Sequence, residues 1–176
     1  MLGERLLSWF RLSWQEYYAD FLITPPLTML ALWLSLQHGF SLLWLIQFGL
    51  GLSVWTLYEY IAHRWLLHHF WIFSDLHKLH HDNQKDYIAL HPAGTLIIYG
   101  LIWYLFGIQS AAIMVGFSFG YVVYSALHTA FHYASISAGN PLWSLKRHHA
   151  LHHRFDDVNF GVTTSLWDHV FSTKSK

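Results

Sequence analysis

The sequence predicts an all-α integral membrane protein with four transmembrane helices, arranged as two hairpins with a histidine-rich cap. Three observations support this fold class. The 176 residues are 54% hydrophobic, 19% aromatic and only 11% charged, which is more apolar than a soluble core of this size requires. Four apolar stretches approach the about 20 helical residues that cross a hydrocarbon core. Ten of the fifteen histidines also fall into four short clusters.

The four predicted transmembrane helices are two pairs of neighbouring segments. They cover, in chain order, residues 21–37, 40–60, 93–108 and 111–129. The connections around residues 38–39 and 109–110 are very short, which predicts two tight helical hairpins. Pro25 and Pro26 are expected in the first turn of the first helix, where a missing backbone N–H is tolerated. We interpret His38 as an interfacial residue.

The positions of the basic residues predict the orientation. All ten Lys and Arg lie before the first hairpin, between the hairpins or after the second hairpin, beginning with Arg5 and Arg11. The positive-inside rule then places both termini and the middle segment in the cytoplasm. The four histidine clusters belong to the same side, so the cap is predicted to be cytosolic. A bacterial inner membrane and the endoplasmic reticulum are both compatible with this orientation.

The histidine clusters predict bound metal. Their spacings are HxxxxH, HxxHH, HxxxH and HxxHH, and the last three place imidazoles one helical turn apart on one face. Neutral imidazole is the commonest protein ligand for zinc, iron and copper, and ten such ligands are too many for one ion. With no cysteine in the chain, thiolate ligands and iron–sulfur clusters are excluded. The predicted metal ligands are His63, His68, His77, His80, His81, His128, His132, His149, His152 and His153.

We expect carboxylates to accept hydrogen bonds from the ligand histidines rather than to bind the metal themselves. None of the ten Asp and Glu lies inside a histidine motif. A metal-bound histidine usually donates its second N–H to an acceptor that fixes the ring, and a carboxylate is one such acceptor. Candidates for this role are Glu59, Asp156, Asp157 and Asp168, with an ordinary solvated or interfacial carboxylate as the alternative for each. His148 is expected to face away from the metal that its neighbour His149 binds, in a supporting or surface position.

The ordered set of four motifs resembles the fatty acid hydroxylase superfamily, the membrane histidine-box di-metal oxygenases. The tail from Asn159 to Asp168, with Leu145-Lys146-Arg147 before the last cluster, is similar to its fatty acid 2-hydroxylase branch. The likeness covers about residues 58–173. It implies one fatty acid hydroxylase-like membrane domain over residues 1–176, with a membrane-embedded four-helix body under a cytosolic cap. In that cap the ten histidines would bind two metal ions, with no catalytic residue beyond them.

The resemblance also implies a reaction. O2 and two electrons would insert one hydroxyl group into a lipid acyl chain, at C2 of a fatty acid or ceramide-type lipid. Iron is the expected metal of the active enzyme, and zinc could occupy the same imidazole ligands in a purified sample. Without a fused cytochrome b5 domain, the electrons would come from a separate donor such as cytochrome b5 or ferredoxin with its reductase. No nucleic-acid partner is expected.

Two alternatives stay open. Within the same superfamily, the chain could be a sterol or carotenoid hydroxylase or desaturase, since these enzymes share the histidine motifs. In another class, it could be a membrane metal-binding or metal-transport protein. Polar residues inside the membrane mark an ion path, whereas the interiors of the four predicted segments lack charged residues and the histidines gather at one end. The pattern therefore favours the oxygenase.

Overall fold

The computed structural model describes residues 12–37, 39–85, 92–107 and 111–175. These residues form seven α-helices and one π-helix, and no strand occurs among them. The α-helices are α1 (Trp14–Leu36), α2 (Leu42–Ile61), α3 (Trp71–Asp82), α4 (Pro92–Phe106), α5 (Ala111–Tyr133), α6 (Trp143–Arg154) and α7 (Leu166–Val170). The π-helix, Ala62–Leu67, directly follows α2.

Three of the described helices are long and apolar enough to cross a membrane. They are Trp14–Leu36, the combined α2 and π-helix over Leu42–Leu67, and Ala111–Tyr133. The prediction of an all-α membrane protein is confirmed at this level. Helix α4 has 15 residues, fewer than the about 20 that a full span requires. The fourth span and the hairpins stay predictions. Both short connections, around residues 38–39 and 109–110, extend outside the described residues, and His38, Arg5 and Arg11 lie outside them.

Helix α1 begins at Trp14 rather than at residue 21, because a capping box starts it there. The Glu16 backbone N–H donates to the Ser13 hydroxyl at 3.3 Å, and the Ser13 backbone N–H donates to the Glu16 carboxylate at 2.7 Å. These two hydrogen bonds satisfy donors that a helix N-terminus otherwise leaves free. Pro25 and Pro26 consequently lie in the helix interior, and their predicted place in the first turn is wrong.

The described chain divides into two compact units. The first, which we call the helical unit, contains α1, α4, α2 up to Trp55 and α5 up to Val122. Close helix packing within it depends on glycine: a Cβ atom on Gly51 would collide with the backbone carbonyl of Ile113, and one on Gly116 with that of Phe48. The backbones of α2 and α5 therefore touch directly, as small residues allow in membrane helix pairs.

A buried carboxylate also lies in the helical unit. Asp20 accepts hydrogen bonds from the Tyr121 hydroxyl at 2.7 Å and from the Thr24 hydroxyl at 3.0 Å. The predicted first segment began one residue later and so left this acidic side chain outside. The observed α1 contains it, and polar partners from α1 and α5 stabilise it where water is scarce.

The second unit, which we call the histidine unit, contains residues 56–85 and 123–175 of the described chain. Here the π-helix contacts α3. Each HxxHH motif lies on a short helix of its own, α3 or α6, while the other two histidine pairs lie on the π-helix end of α2 and the last turns of α5. The loop of residues 134–142, which includes Gly139-Asn140-Pro141, precedes α6.

Candidate metal centre

All ten histidines predicted as ligands come together within the histidine unit. They form two groups, and in each group five ring nitrogens lie within 4.8 Å of one another. The first histidine group contains His63, His68, His77, His81 and His152. The second histidine group contains His80, His128, His132, His149 and His153. Each group could hold a metal ion with imidazole nitrogen alone.

Each HxxHH motif contributes to both groups. On α3, His77 and His81 belong to the first group and His80 to the second. On α6 the assignment is reversed: His149 and His153 belong to the second group, and His152 to the first. Residues four apart share a helix face, whereas neighbouring positions point about 100° apart. Each motif therefore supplies ligands to both groups from different faces of one helix. The spacings alone predict that these imidazoles share one face, which is wrong for the HxxHH motifs.

The spacing of the first motif, HxxxxH, has its own structural cause. His63 lies in the π-helix and His68 is its C-terminal cap. A π-helix forms i→i+5 hydrogen bonds, so residues five apart come onto the same side. The two ring centroids lie 5.5 Å apart, and both rings join the first group. The π-helix therefore brings His63 and His68, five residues apart, to one site, as the α-helical α5 does for His128 and His132, four residues apart.

Nine of the ten rings, all except His80, face one another through their Nε2 atoms. Seven Nε2–Nε2 pairs, four in the first group and three in the second, are separated by 3.0 to 3.2 Å. When Nδ1 carries the proton, Nε2 presents a lone pair, and two facing lone pairs repel unless a cation lies between them. Two ligands about 2.1 Å from one ion and at right angles to each other are about 3.0 Å apart. The observed spacing fits a metal ion in each group.

Electrostatics keep these rings neutral, the state that binds metal. Burial, reinforced by the neighbouring imidazoles, lowers the pKa of His77 and His149 well below the usual value. Burial likewise lowers the pKa of His80 and His152 to about 3 and that of His68 to about 4. At neutral pH the metal-free site is therefore a cluster of uncharged nitrogen donors.

A loop after α6 supplies hydrogen-bond acceptors for the first group. We call residues 156–163 the tail loop. The His63 Nδ1–H donates to the Phe160 carbonyl, and the His152 Nδ1–H donates to the Val158 carbonyl at 2.8 Å. The Nδ1 atom of His81 lies 2.9 Å from the Asp156 carboxylate. The two hydrogen bonds to carbonyls fix Nδ1 of His63 and His152 as the protonated nitrogen and leave Nε2 for the metal.

The four candidate carboxylates therefore differ in what they bind. Asp156 lies beside His81 of the first group, and its role as an acceptor for a ligand histidine stays a prediction. Glu59 is buried and accepts hydrogen bonds from the backbone N–H groups of Val162 and Thr163 instead of a histidine. Asp157 is exposed, and the described residues give it no contact with a histidine.

Asp168 is the most connected of these carboxylates and is fully buried. It accepts hydrogen bonds from the backbone N–H groups of Phe160 and Gly161, from the Thr173 hydroxyl and from His148 Nε2, all between 2.7 and 2.9 Å. Burial alone would raise the pKa of Asp168, but the hydrogen bonds from His148, Thr173 and Gly161 outweigh burial and hold that pKa below the usual value. His148 is therefore buried and hydrogen-bonded to Asp168, and it does not lie at the surface.

Sequence reasoning missed the acceptors that are backbone carbonyls. Val158 and Phe160 contact histidines through main-chain oxygen, which leaves no trace in side-chain identity. The signal nearest to them is Asn159, which has a positive φ of 58° and is fully buried. Its side chain donates to the His148 carbonyl at 3.2 Å and accepts from the Ser175 N–H at 2.8 Å. Asparagine tolerates this backbone conformation better than most residues do.

The chain is similar to known lipid hydroxylases. The fatty acid 2-hydroxylase of Rattus norvegicus is 30% identical over 143 residues, which are 72% of this chain and 38% of that protein. Dihydroceramide fatty acyl 2-hydroxylase FAH1 of Arabidopsis thaliana is 30% identical over 182 residues, 94% of this chain and 76% of that protein. The chain thus spans well under half the length of the rat relative.

A solved structure has the same fold. It is full-length Scs7p, in which only the hydroxylase domain is visible, and it matches with a TM-score of 0.76 at 28% identity. The match covers 95% of this chain and 68% of that chain. In addition, the family model described as fatty acid hydroxylase matches residues 48–173, a range that includes all ten histidines and the tail loop. The chain belongs to the fatty acid hydroxylase family.

Proposed function

We propose that this chain is an O2-dependent di-metal hydroxylase that acts on a lipid acyl chain, at C2 of a fatty acid or ceramide-type lipid. The observation that carries the proposal is the pair of five-histidine groups with their Nε2 atoms turned inward. The names of the relatives, fatty acid 2-hydroxylase and dihydroceramide fatty acyl 2-hydroxylase, support the substrate class. One oxygen atom of O2 would enter the C–H bond, and the other would leave as water with two electrons and two protons.

The ten histidines would hold two metal ions, one in each group. We propose iron in the active enzyme, with zinc able to occupy the same ligands in purified protein because ligand type alone does not separate the two metals. When bound, the ions would supply the activation of O2 and the oxidation of the C–H bond. The chain's own residues hold the ions and orient the imidazoles, and through the tail loop they keep the Nε2 lone pairs available.

We further propose four spans in two hairpins, forming one membrane domain over residues 1–176 with the termini and the histidine cap in the cytoplasm. The distribution of Lys and Arg supports this topology. The electrons would then come from a separate cytoplasmic donor, such as cytochrome b5 or ferredoxin with its reductase. A cysteine-labelling scan is a direct test, because the wild-type chain contains no cysteine. Single cysteines at Ser137 and Ser175 are expected to react from the cytoplasmic side alone.

Lipid mass spectrometry tests the reaction. Total lipids from cells that express the wild-type chain are compared with lipids from cells that express His128→Ala, and fragmentation locates any added oxygen. His169→Ala is the matched control, because His169 is exposed and contacts Ser165 and Lys174 rather than either group. We expect 2-hydroxy acyl chains with the wild type and the control only. An added oxygen or a lost pair of hydrogens in a sterol or carotenoid would instead assign the second branch of the superfamily.

A further inference from the structure

The two histidine groups have different surroundings. In the first group, His63 and His152 each donate from Nδ1 to a carbonyl of the tail loop, and His81 Nδ1 lies 2.9 Å from the Asp156 carboxylate of that loop without forming a hydrogen bond to it. In the second group, the Nδ1 atoms of His80, His149 and His153 are buried and have no hydrogen-bond partner within the described part of the chain. The groups thus match in the number of donors and differ in how firmly those donors are oriented.

Two buried carboxylates hold the tail loop in place. Asp168 accepts the backbone N–H groups of Phe160 and Gly161, and Glu59 accepts those of Val162 and Thr163. Four consecutive N–H groups are therefore tied to acidic side chains. The Phe160 carbonyl and the Gly161 N–H belong to one planar peptide unit. Fixing this N–H therefore also fixes the carbonyl that accepts the hydrogen bond from His63 Nδ1–H.

Residues near the C-terminus also hold the tail loop in place. The Thr173 hydroxyl lies within hydrogen-bond distance of the Asp168 carboxylate at 2.7 Å and of the Tyr60 hydroxyl at 2.9 Å. The Asn159 backbone N–H donates to the Thr173 carbonyl at 2.9 Å. The loop is thus held on both sides, by α2 through Glu59 and Tyr60 and by the C-terminal segment through Thr173. A carbonyl oriented this way can fix the tautomer and direction of a ligand histidine.

We propose that the tail loop makes the two metal sites unequal: the first histidine group binds its ion more tightly and releases it more slowly than the second, with Asp168 as the positioning residue. The inference rests on the proposed function, since it requires that both groups hold metal. Asp168 contacts neither metal nor substrate and acts through the Phe160 carbonyl on His63. Removal of a partner that orients a metal ligand lowers the metal affinity about 10- to 100-fold.

Chelator competition on the full chain in detergent tests this asymmetry without reference to activity. The protein is loaded with Zn2+, and an excess of a colorimetric chelator then removes the metal while its absorbance is followed. The wild type is expected to release two ions per chain in two phases. His149→Ala should remove the fast phase, and His152→Ala should remove the slow one. This pair of variants assigns each phase to a group.

The decisive variant is Asp168→Asn, which keeps the shape and removes the charge. One side-chain oxygen becomes an NH2 group that cannot accept from two of the four present donors. We expect the slow phase to accelerate about tenfold or more, with the fast phase unchanged. Asp157→Asn is the matched control, since this exposed carboxylate of the same loop should leave both phases unchanged. Should Asp168→Asn fail to fold, Thr173→Val removes one of its hydrogen bonds and should accelerate the slow phase to a smaller extent.

The outcomes separate this inference from the proposed function. A wild type that releases both ions in a single phase would overturn the asymmetry, and so would an Asp168→Asn variant that changes both phases equally or neither. A wild type that retains no metal at all would overturn the proposed function itself. Retention of two phases, with only the slow one sensitive to Asp168 and Thr173, would support the tail loop as the anchor of the first group.

Discussion

The rings of His81 and His153 lie next to each other although they belong to different histidine groups, with centroids 4.4 Å apart and planes inclined by 32°. His81 belongs to the first group and His153 to the second. Each is the last histidine of an HxxHH motif, one on α3 and one on α6. These two adjacent rings therefore separate the two groups, and an ion held in one group would lie close to ligands of the other.

Replacement of His153 by alanine is expected to lower the metal content from about two ions per chain to about one or fewer and to abolish hydroxylation, because ligand loss ties metal to function. The protein should still insert in the membrane, since the apolar helices are unchanged. Elemental analysis of purified protein measures the metal, and membrane fractionation measures insertion. His169→Ala should retain both ions. Full metal content in His153→Ala would exclude this residue as a ligand.

The metal-free protein is expected to lose stability as the pH decreases from about 6.5 to about 3. Burial lowers the pKa of His68 to about 4 and that of His80 to about 3 in the folded state, while an unfolded histidine has a pKa of about 6.5. Between these values the unfolded chain binds protons that the folded chain does not, so acidification favours unfolding, and the full stability is present above this range. Thermal unfolding of chelator-treated protein across this range measures the effect. A midpoint independent of pH would contradict it.

Substitution of Gly51 by alanine is expected to destabilise the helical unit by about 1–3 kcal/mol, because the new methyl group would collide with the Ile113 carbonyl. Gly49, on the same helix, has open space at its Cβ position. Gly49→Ala is therefore the matched control and should leave the unfolding midpoint in detergent unchanged or slightly raised, since alanine favours helix. Equal midpoints for the two variants would show that α2 and α5 do not pack through Gly51.

The buried Asp20 gives a prediction for Tyr121. In Tyr121→Phe the carboxylate loses a 2.7 Å hydrogen bond, which should cost about 1 kcal/mol of stability, in the range for hydrogen bonds inside membrane proteins. Metal content should not change, because neither residue belongs to a histidine group. Tyr104→Phe is the control, as the Tyr104 side chain is exposed. Thermal unfolding and metal analysis of the same samples check both statements.

Much of this architecture follows from local patterns in the chain. Apolar length predicts the helices α2 and α5, and the histidine spacings select the ten residues that the structure brings together. These features depend on one residue type repeated at helical spacing, which a sequence displays directly. The beginning of α1 was accessible in the same way, because Ser13 and Glu16 form a recognisable capping box.

Other features depend on relationships that side-chain identity does not encode. The partition of each HxxHH motif between two groups requires knowledge of what lies on both sides of the helix. The acceptors at Val158 and Phe160 are main-chain atoms, and the loop that carries them is held by Asp168 nearby in the sequence and by Glu59 far from it. The contacts of His63 with Phe160 and of Glu59 with Val162 join residues 97 and 103 positions apart, so a pattern of neighbours in sequence does not predict them.

The π-helix at Ala62–Leu67 has a genetic consequence. Deletion of a single codon between His63 and His68 would convert HxxxxH into HxxxH, the spacing that α5 already uses for His128 and His132. The shortened segment could continue as an ordinary α-helix and still present both histidines. Because His63 would keep its place beside His68, the residues N-terminal to His63 would keep their register with it. Length variation at this point would therefore preserve both the pair of ligands and the face that the preceding helix presents to its neighbours.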